Sequence, residues 1–174
     1  LDPVSGVWAV ARRADLPVLD RRTIPNLSAP VDVRYDDRGV PHIFARTRED
    51  AQRALGFVVA RDRLFQLELQ TRATAGRLTE LLGSRVLDLD RQQRRLGLAA
   101  SADRVFADLA GDSPDRRAVA AYADGVNAWI RGMRPADLPF EYRLLNARPI
   151  RWEPRYALYL LRRMGWTLAY TTAE

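Results

Sequence analysis

Polar and apolar residues alternate in VDVRYD (31–36), where Val31, Val33 and Tyr35 are separated by polar side chains. That period of two predicts a half-buried strand. DRG (37–39) supplies a turn, with Gly39 available for positive φ. VPHIFA (40–45) reads as the returning strand, and Pro41, which cannot donate a ladder hydrogen bond, places it at an edge. Two strands do not make a stable sheet alone, so the hairpin is expected to add to a sheet made by another chain.

Beyond residue 46 the period lengthens to that of a helix. Thr47 with Asp50 three residues later resembles a helix start. The stretch that follows, through ATAG (73–76), carries Leu55, Val58, Val59, Leu64, Phe65, Leu67 and Leu69. That apolar stripe is too wide for a helix buried on one side, so most of its circumference should be covered. RLTELLG (77–83) predicts a short helix ending at Gly83. Ser113 before Pro114 predicts another entry, followed by Val119, Tyr122, Val126 and Ile130 at helical spacing. RWEP (151–154) marks a last one, after which Ala157, Leu160, Leu161, Met164 and Leu168 keep the helical period. Residues 1–30, with four prolines and little periodicity, read as an extended arm. Residues 31–174 read as one domain, a hairpin over 31–45 with helices beyond.

Composition narrows the picture. With 47% hydrophobic and 29% charged residues, the chain is neither disordered nor built to lie in a membrane, and no apolar run is long enough to span one. LDPVSGVWAV lacks the basic and apolar regions of a signal peptide. There is no cysteine, which excludes disulfides, thiolate metal sites and a cysteine nucleophile here. The net charge of +6 comes entirely from arginine. These arginines are scattered among Asp and Glu without interleaved aromatics, which counts against a nucleic-acid partner.

The usual catalytic groupings fail one by one. His42 is the only histidine, and none of the serines sits in a G-x-S-x-G elbow. One histidine without cysteine cannot build the common zinc sites, and no phosphate-cradling glycine loop occurs. The pairs Asp36/Asp37 and Asp88/Asp90 flank turns and helix ends, where caps and solvated acids are the default. His42 itself reads as a buried, hydrogen-bonded strand residue rather than a catalytic base. By its residues alone, the chain is a subunit or binding part without its own catalytic machinery.

RYDDRGVPHIFARTREDAQRALGFVVARDRLFQLELQTRATAGRLTELLG resembles the start of the α subunit of penicillin acylases, which are N-terminal-nucleophile hydrolases. Phe57, Arg61 and Leu67 stand where the family pattern has Tyr, Gln and Met. AAYADGVNAWI (120–130) and LPFEYRLLNARPIRWEP (138–154) continue the resemblance in order. It implies an α+β fold class: a mostly helical α subunit with one edge hairpin, completing an αββα sandwich formed with a β chain. The implied activity is hydrolysis of the amide bond in N-acylated small molecules, such as penicillin-type β-lactams or acyl-homoserine lactones. The implied nucleophile is the N-terminal serine of that β subunit, so no catalytic residue is expected on this chain. The implied precursor is secreted or periplasmic and matures by self-cleavage. The alternative is an inert binding or scaffold subunit derived from such an enzyme.

Two features carry over residue by residue. The family's M-A-x-x-(F/L) stretch lines the acyl pocket and corresponds here to MGWTL, so Met164, Thr167 and Leu168 are the expected substrate-binding residues. Members that prefer phenylacetyl groups have Arg and Phe where Thr167 and Leu168 stand, so an aliphatic acyl chain is expected instead. The family also binds a structural calcium through an α-chain glutamate ten residues after that Met, which corresponds to Glu174.

Overall fold

The computed structural model describes residues 21–170. Strands β1 (Asp32–Tyr35) and β2 (Pro41–Phe44) pair antiparallel, with Val33 opposite Ile43 and Arg34 opposite His42. Gly39 takes the expected positive φ of 75°. Asp36 closes the turn, its Oδ1 accepting from the Arg38 and Val40 N–H groups at 3.0 and 2.8 Å. Because strand side chains alternate between faces, Val33, Tyr35, Pro41 and Ile43 turn inward and Asp32, Arg34, His42 and Phe44 turn outward.

That alternation corrects the expectation for His42. Its side chain is 55% exposed on this chain and meets the Asp36 carboxylate at 3.4 Å. The inward face is filled by its neighbours Pro41 and Ile43, so the intervening histidine is directed outward.

Seven α-helices follow among the described residues: α1 (Arg48–Ala75), α2 (Thr79–Leu82), α3 (Leu87–Leu96), α4 (Leu98–Asp108), α5 (Pro114–Gly132), α6 (Phe140–Leu144) and α7 (Tyr156–Tyr170). Thr47 caps α1 by accepting from the Asp50 N–H at 3.1 Å, and Ser113 caps α5 in the same way from Arg116. The α1 helix is interrupted at Arg63, whose φ of −141° and ψ of 26° leave the helical region. Buried positions lie all round its last turns, Thr71, Arg72, Ala73 and Thr74 in succession. This is the coverage that the wide apolar stripe predicts.

The α1 and α5 helices form the main helix pair. Their contact is set by small residues: Ala118, Ala121, Ala123, Gly125 and Ala128 are buried on α5, and Ala54, Gly56 and Ala60 on α1. A Cβ on Gly56 would lie 2.1 Å from the Tyr122 carbonyl oxygen, and one on Gly125 would lie 1.9 Å from that of Arg53. Each backbone therefore occupies the space of the other's missing side chain. Around this crossing, Leu64, Leu67, Val126, Trp129, Tyr142, Trp152, Tyr156 and Tyr159 make a core rich in aromatics.

On α7, Leu161, Met164 and Leu168 are 61–65% exposed, and Tyr156 and Tyr159 point into the core. Residues 84–112, for which the sequence pattern predicts no element, contain α3 and α4 separated only by Gly97. Of the arm expected over residues 1–30, the first twenty lie outside the described residues. Residues 21–30 hold neither helix nor strand, and Ser28 bonds to the buried Asp50 through both its N–H and its hydroxyl.

Candidate functional site

The site is an apolar cleft of about 620 Å³ between α1 and the C-terminal half of α7. Val59, Arg63, Gln66, Leu67 and Gln70 line it from α1, and Leu160, Arg163, Met164, Thr167 and Leu168 from α7. Spacings of three and four bring each set onto one helix face.

Both walls are held from behind. Glu68, 2% exposed, accepts from Arg72 Nε at 2.8 Å, the Tyr142 hydroxyl at 2.6 Å and the Ile150 N–H at 3.1 Å. This carboxylate ties α1 to α6 and to the irregular segment before Trp152. Arg72 also reaches Glu80 at 2.6 Å, which Arg77 grips through two hydrogen bonds. The root of α7 is fixed differently. Asn127 on α5 brackets the Trp152 backbone, donating to its carbonyl at 2.8 Å and accepting from its N–H at 2.9 Å. Trp152, Tyr156 and Tyr159 then continue as a row of ring contacts at about 5.5 Å, and the Tyr159 hydroxyl donates to Asp103 on α4. The anchored first turn leaves the rest of α7 to project its apolar stripe into the cleft.

Among the described residues the cleft has groups that can bind, but none able to attack or to move a proton: neither His42 nor any carboxylate lines it. The Thr167 hydroxyl donates to the Arg163 carbonyl at 3.0 Å, a bond within its own helix. Burial pushes the Tyr122 hydroxyl up to about 12, and burial with the Asp103 carboxylate does the same to Tyr159. Burial and the Glu68 carboxylate raise that of Tyr142 well above its ordinary value. Such phenols stay neutral near pH 7, and those of Tyr142 and Tyr159 serve as hydrogen-bond donors.

Met164, Thr167 and Leu168 thus come together on one wall of a single cleft. Glu174 lies outside the described residues. No group of three or more His, Cys, Asp or Glu is arranged to hold a metal among the described residues. Gln70, Arg163 and Arg63 were not singled out by the sequence pattern, although Arg163 directly precedes the MGWTL stretch. The acidic pairs behave as caps: Asp90, 4% exposed, accepts from the Leu78 and Thr79 N–H groups at 2.8 Å.

Residues 30–174 match the family model for penicillin amidase. A penicillin acylase 2 proenzyme from Pseudomonas sp. (strain SE83) is 46% identical over 156 residues, covering 89% of this chain and 20% of the relative. Penicillin G acylase from Escherichia coli is 36% identical, over 73% of this chain and 15% of its own. The acyl-homoserine lactone acylase QuiP from Pseudomonas putida is 37% identical, over 75% and 16%. The chain spans a fifth or less of the length of these curated relatives. The fold is similar to that of a thermostable penicillin G acylase from Alcaligenes faecalis, with a TM-score of 0.72 at 31% identity, covering 80% of this chain and 74% of that one. On sequence and fold together, this chain belongs to the penicillin amidase family.

Proposed function

We propose that this chain is the α portion of a two-chain acylase that hydrolyses the amide bond of N-acylated small molecules, and that the cleft between α1 and α7 receives the acyl group. One observation carries the reading: Met164, Thr167 and Leu168, picked out by the resemblance to the acyl-pocket stretch, line the same apolar cleft. Met supplies an adaptable apolar filler and Leu an aliphatic wall, as an apolar acyl chain requires. The nucleophile would be the N-terminal serine of the companion β chain, with its own α-amino group as base. Two facts favour a processed precursor. One relative is named a proenzyme, and the chain covers a fifth of that relative but three-quarters of the solved acylase chain.

The companion chain would also supply the sheet that the hairpin joins, completing an αββα sandwich. It would bring oxygens to a structural calcium for which Glu174 provides one carboxylate. Among the described residues no helix is long and apolar enough to cross a membrane. A periplasmic or secreted enzyme is the setting we propose.

The full-length protein tests this reading. Intact-mass analysis and N-terminal sequencing should find two chains, the larger beginning with serine, and the pair should hydrolyse acyl anilides. Replacing that serine by alanine should abolish both events. A single uncleaved chain, or a β chain without the serine, would instead identify an inert relative. Metal analysis of the gently purified pair, with Glu174→Ala as comparison, checks the calcium.

A further inference from the structure

The inward stripe of α7 changes character along its length. Tyr156 and Tyr159 occupy it first, each 5% exposed. The next position at helical spacing, four residues on, is Arg163 rather than another aromatic. Leu161, Arg162, Met164 and Gly165 around it are exposed, yet Arg163 is half-buried. Its Nε donates to Gln70 Oε1 on α1 at 2.6 Å, and its Nη1 reaches Gln93 Oε1 on α3 at 3.5 Å. One side chain thus joins three helices. Two of them, α1 and α3, are already locked together. Asp90 on α3 accepts from the Leu78 and Thr79 N–H groups, and Arg94 Nε donates to the carbonyl of Gly76, the C-cap of α1, at 2.9 Å. A Cβ on Gly76 would lie 2.6 Å from the Asp90 carbonyl oxygen, so α3 packs directly on the end of α1. Gln70 and Gln93 therefore present their amide oxygens from a fixed frame, and the guanidinium meets them with donors set in a rigid plane. Gln70 lines the cleft from α1 and Arg163 from α7, so their bond links the two walls.

We propose that Arg163 is a positioning residue: tied to Gln70 and Gln93, it holds the outer half of α7 at a set distance from α1. The proposal rests on the reading of the cleft as the acyl pocket. Met164 follows Arg163 directly, and Thr167 and Leu168 lie one turn further on. A swing of α7 about its Tyr159 anchor would move all three together, and the tie to Gln70 opposes that swing. Arg163 acts through these neighbours, and its loss weakens the grip on the acyl group more than the chemical step.

The test uses the full-length, processed protein with octanoyl and phenylacetyl p-nitroanilides, read on whichever is hydrolysed. Arg163→Met keeps the aliphatic stem and removes the donors, whereas Gln70→Leu keeps the size and removes the acceptor. Each should raise KM by about fivefold or more and lower kcat by a smaller factor. The two effects should not multiply. KM of the double variant should stay within about twofold of that of Arg163→Met, as expected of residues that act through one bond. Arg163→Lys, which keeps a donor for Gln70, should recover part of the affinity. Arg162→Met, at the exposed position before it, should leave KM at the wild-type value. KM unchanged in either single variant, or effects that multiply in the double variant, overturns this inference while leaving the acylase reading intact. Hydrolysis of neither anilide by wild type overturns both.

Discussion

Glu68 shows how much of this fold depends on one side chain. Its carboxylate is buried with Arg72 and takes hydrogen bonds from the Tyr142 hydroxyl and the Ile150 N–H. Removing Glu68 leaves Arg72 with Glu80 alone and strips the Tyr142 hydroxyl and the Ile150 N–H of their acceptor, and breaking such a buried pair typically costs about 3–5 kcal/mol. Glu68→Leu should therefore lower unfolding stability of the full-length protein by about that much. Tyr142→Phe, which loses one hydrogen bond to a charged acceptor, should cost about 1.5–3 kcal/mol. Urea unfolding of both variants checks the order. Asp90 gives a prediction in pH. Burial opposes its charge, but hydrogen bonds from Thr79 and Leu78 outweigh that and hold the carboxyl below its ordinary 3.8. A lowered folded value means that its contribution is complete above about pH 4 and is lost as the pH falls through the folded value. Asp90→Asn should therefore lower Tm at pH 7, and its Tm should fall less steeply than that of wild type below pH 4.

At the scale of elements, the crossing of α1 and α5 is the tightest constraint. A methyl group on Gly125 would sit 1.9 Å from the Arg53 carbonyl oxygen, a backbone atom that cannot rotate away. Gly125→Ala should cost at least about 1–3 kcal/mol, the range for overpacking a filled interior. Gly165 in α7 is the opposite case, since a Cβ there meets nothing within 4 Å. Gly165→Ala, which puts back the alanine of the family's M-A pattern, should raise stability by about 0.5–1 kcal/mol through helix propensity. Differential scanning calorimetry of the two variants should show Tm shifts of opposite sign. These elements were legible to different degrees. The entries at Thr47 and Ser113–Pro114 and the turn at Gly39 are local signals, carried by a hydroxyl, a missing N–H and a positive φ. The break between α3 and α4 was not legible, because Gly97 is its whole length and α3 is a charged surface helix, LDLDRQQRRL. Periodicity tells which residues share a face but not what covers it, so the apolar stretch around His42 suggests burial although its face of the hairpin is open on this chain.

For the whole molecule, the exposed apolar residues are the informative feature. Phe44 on the hairpin, Leu144 on α6, and Leu161, Met164 and Leu168 on α7 are all more than half exposed. The chain spans a fifth or less of its relatives, and in the two-chain enzyme proposed above a companion chain would cover these faces. On that proposal the cleft would be one side of a pocket, and the side with the nucleophile would belong to that companion. Leu168 lies on the described wall at 65% exposure, so its side chain can change size without disturbing the core of this chain. Leu168→Phe brings an aromatic ring and extra volume to an aliphatic surface. Shortened pocket depth should penalise long flexible acyl chains, and the ring should favour flat ones by edge or face contact. In the processed enzyme, kcat/KM for a phenylacetyl anilide relative to an octanoyl anilide should rise, by about tenfold if one well-packed contact is exchanged for another. A ratio that does not move would place Leu168 outside the acyl pocket, and the cleft would lose the residue that connects its geometry to the chemistry.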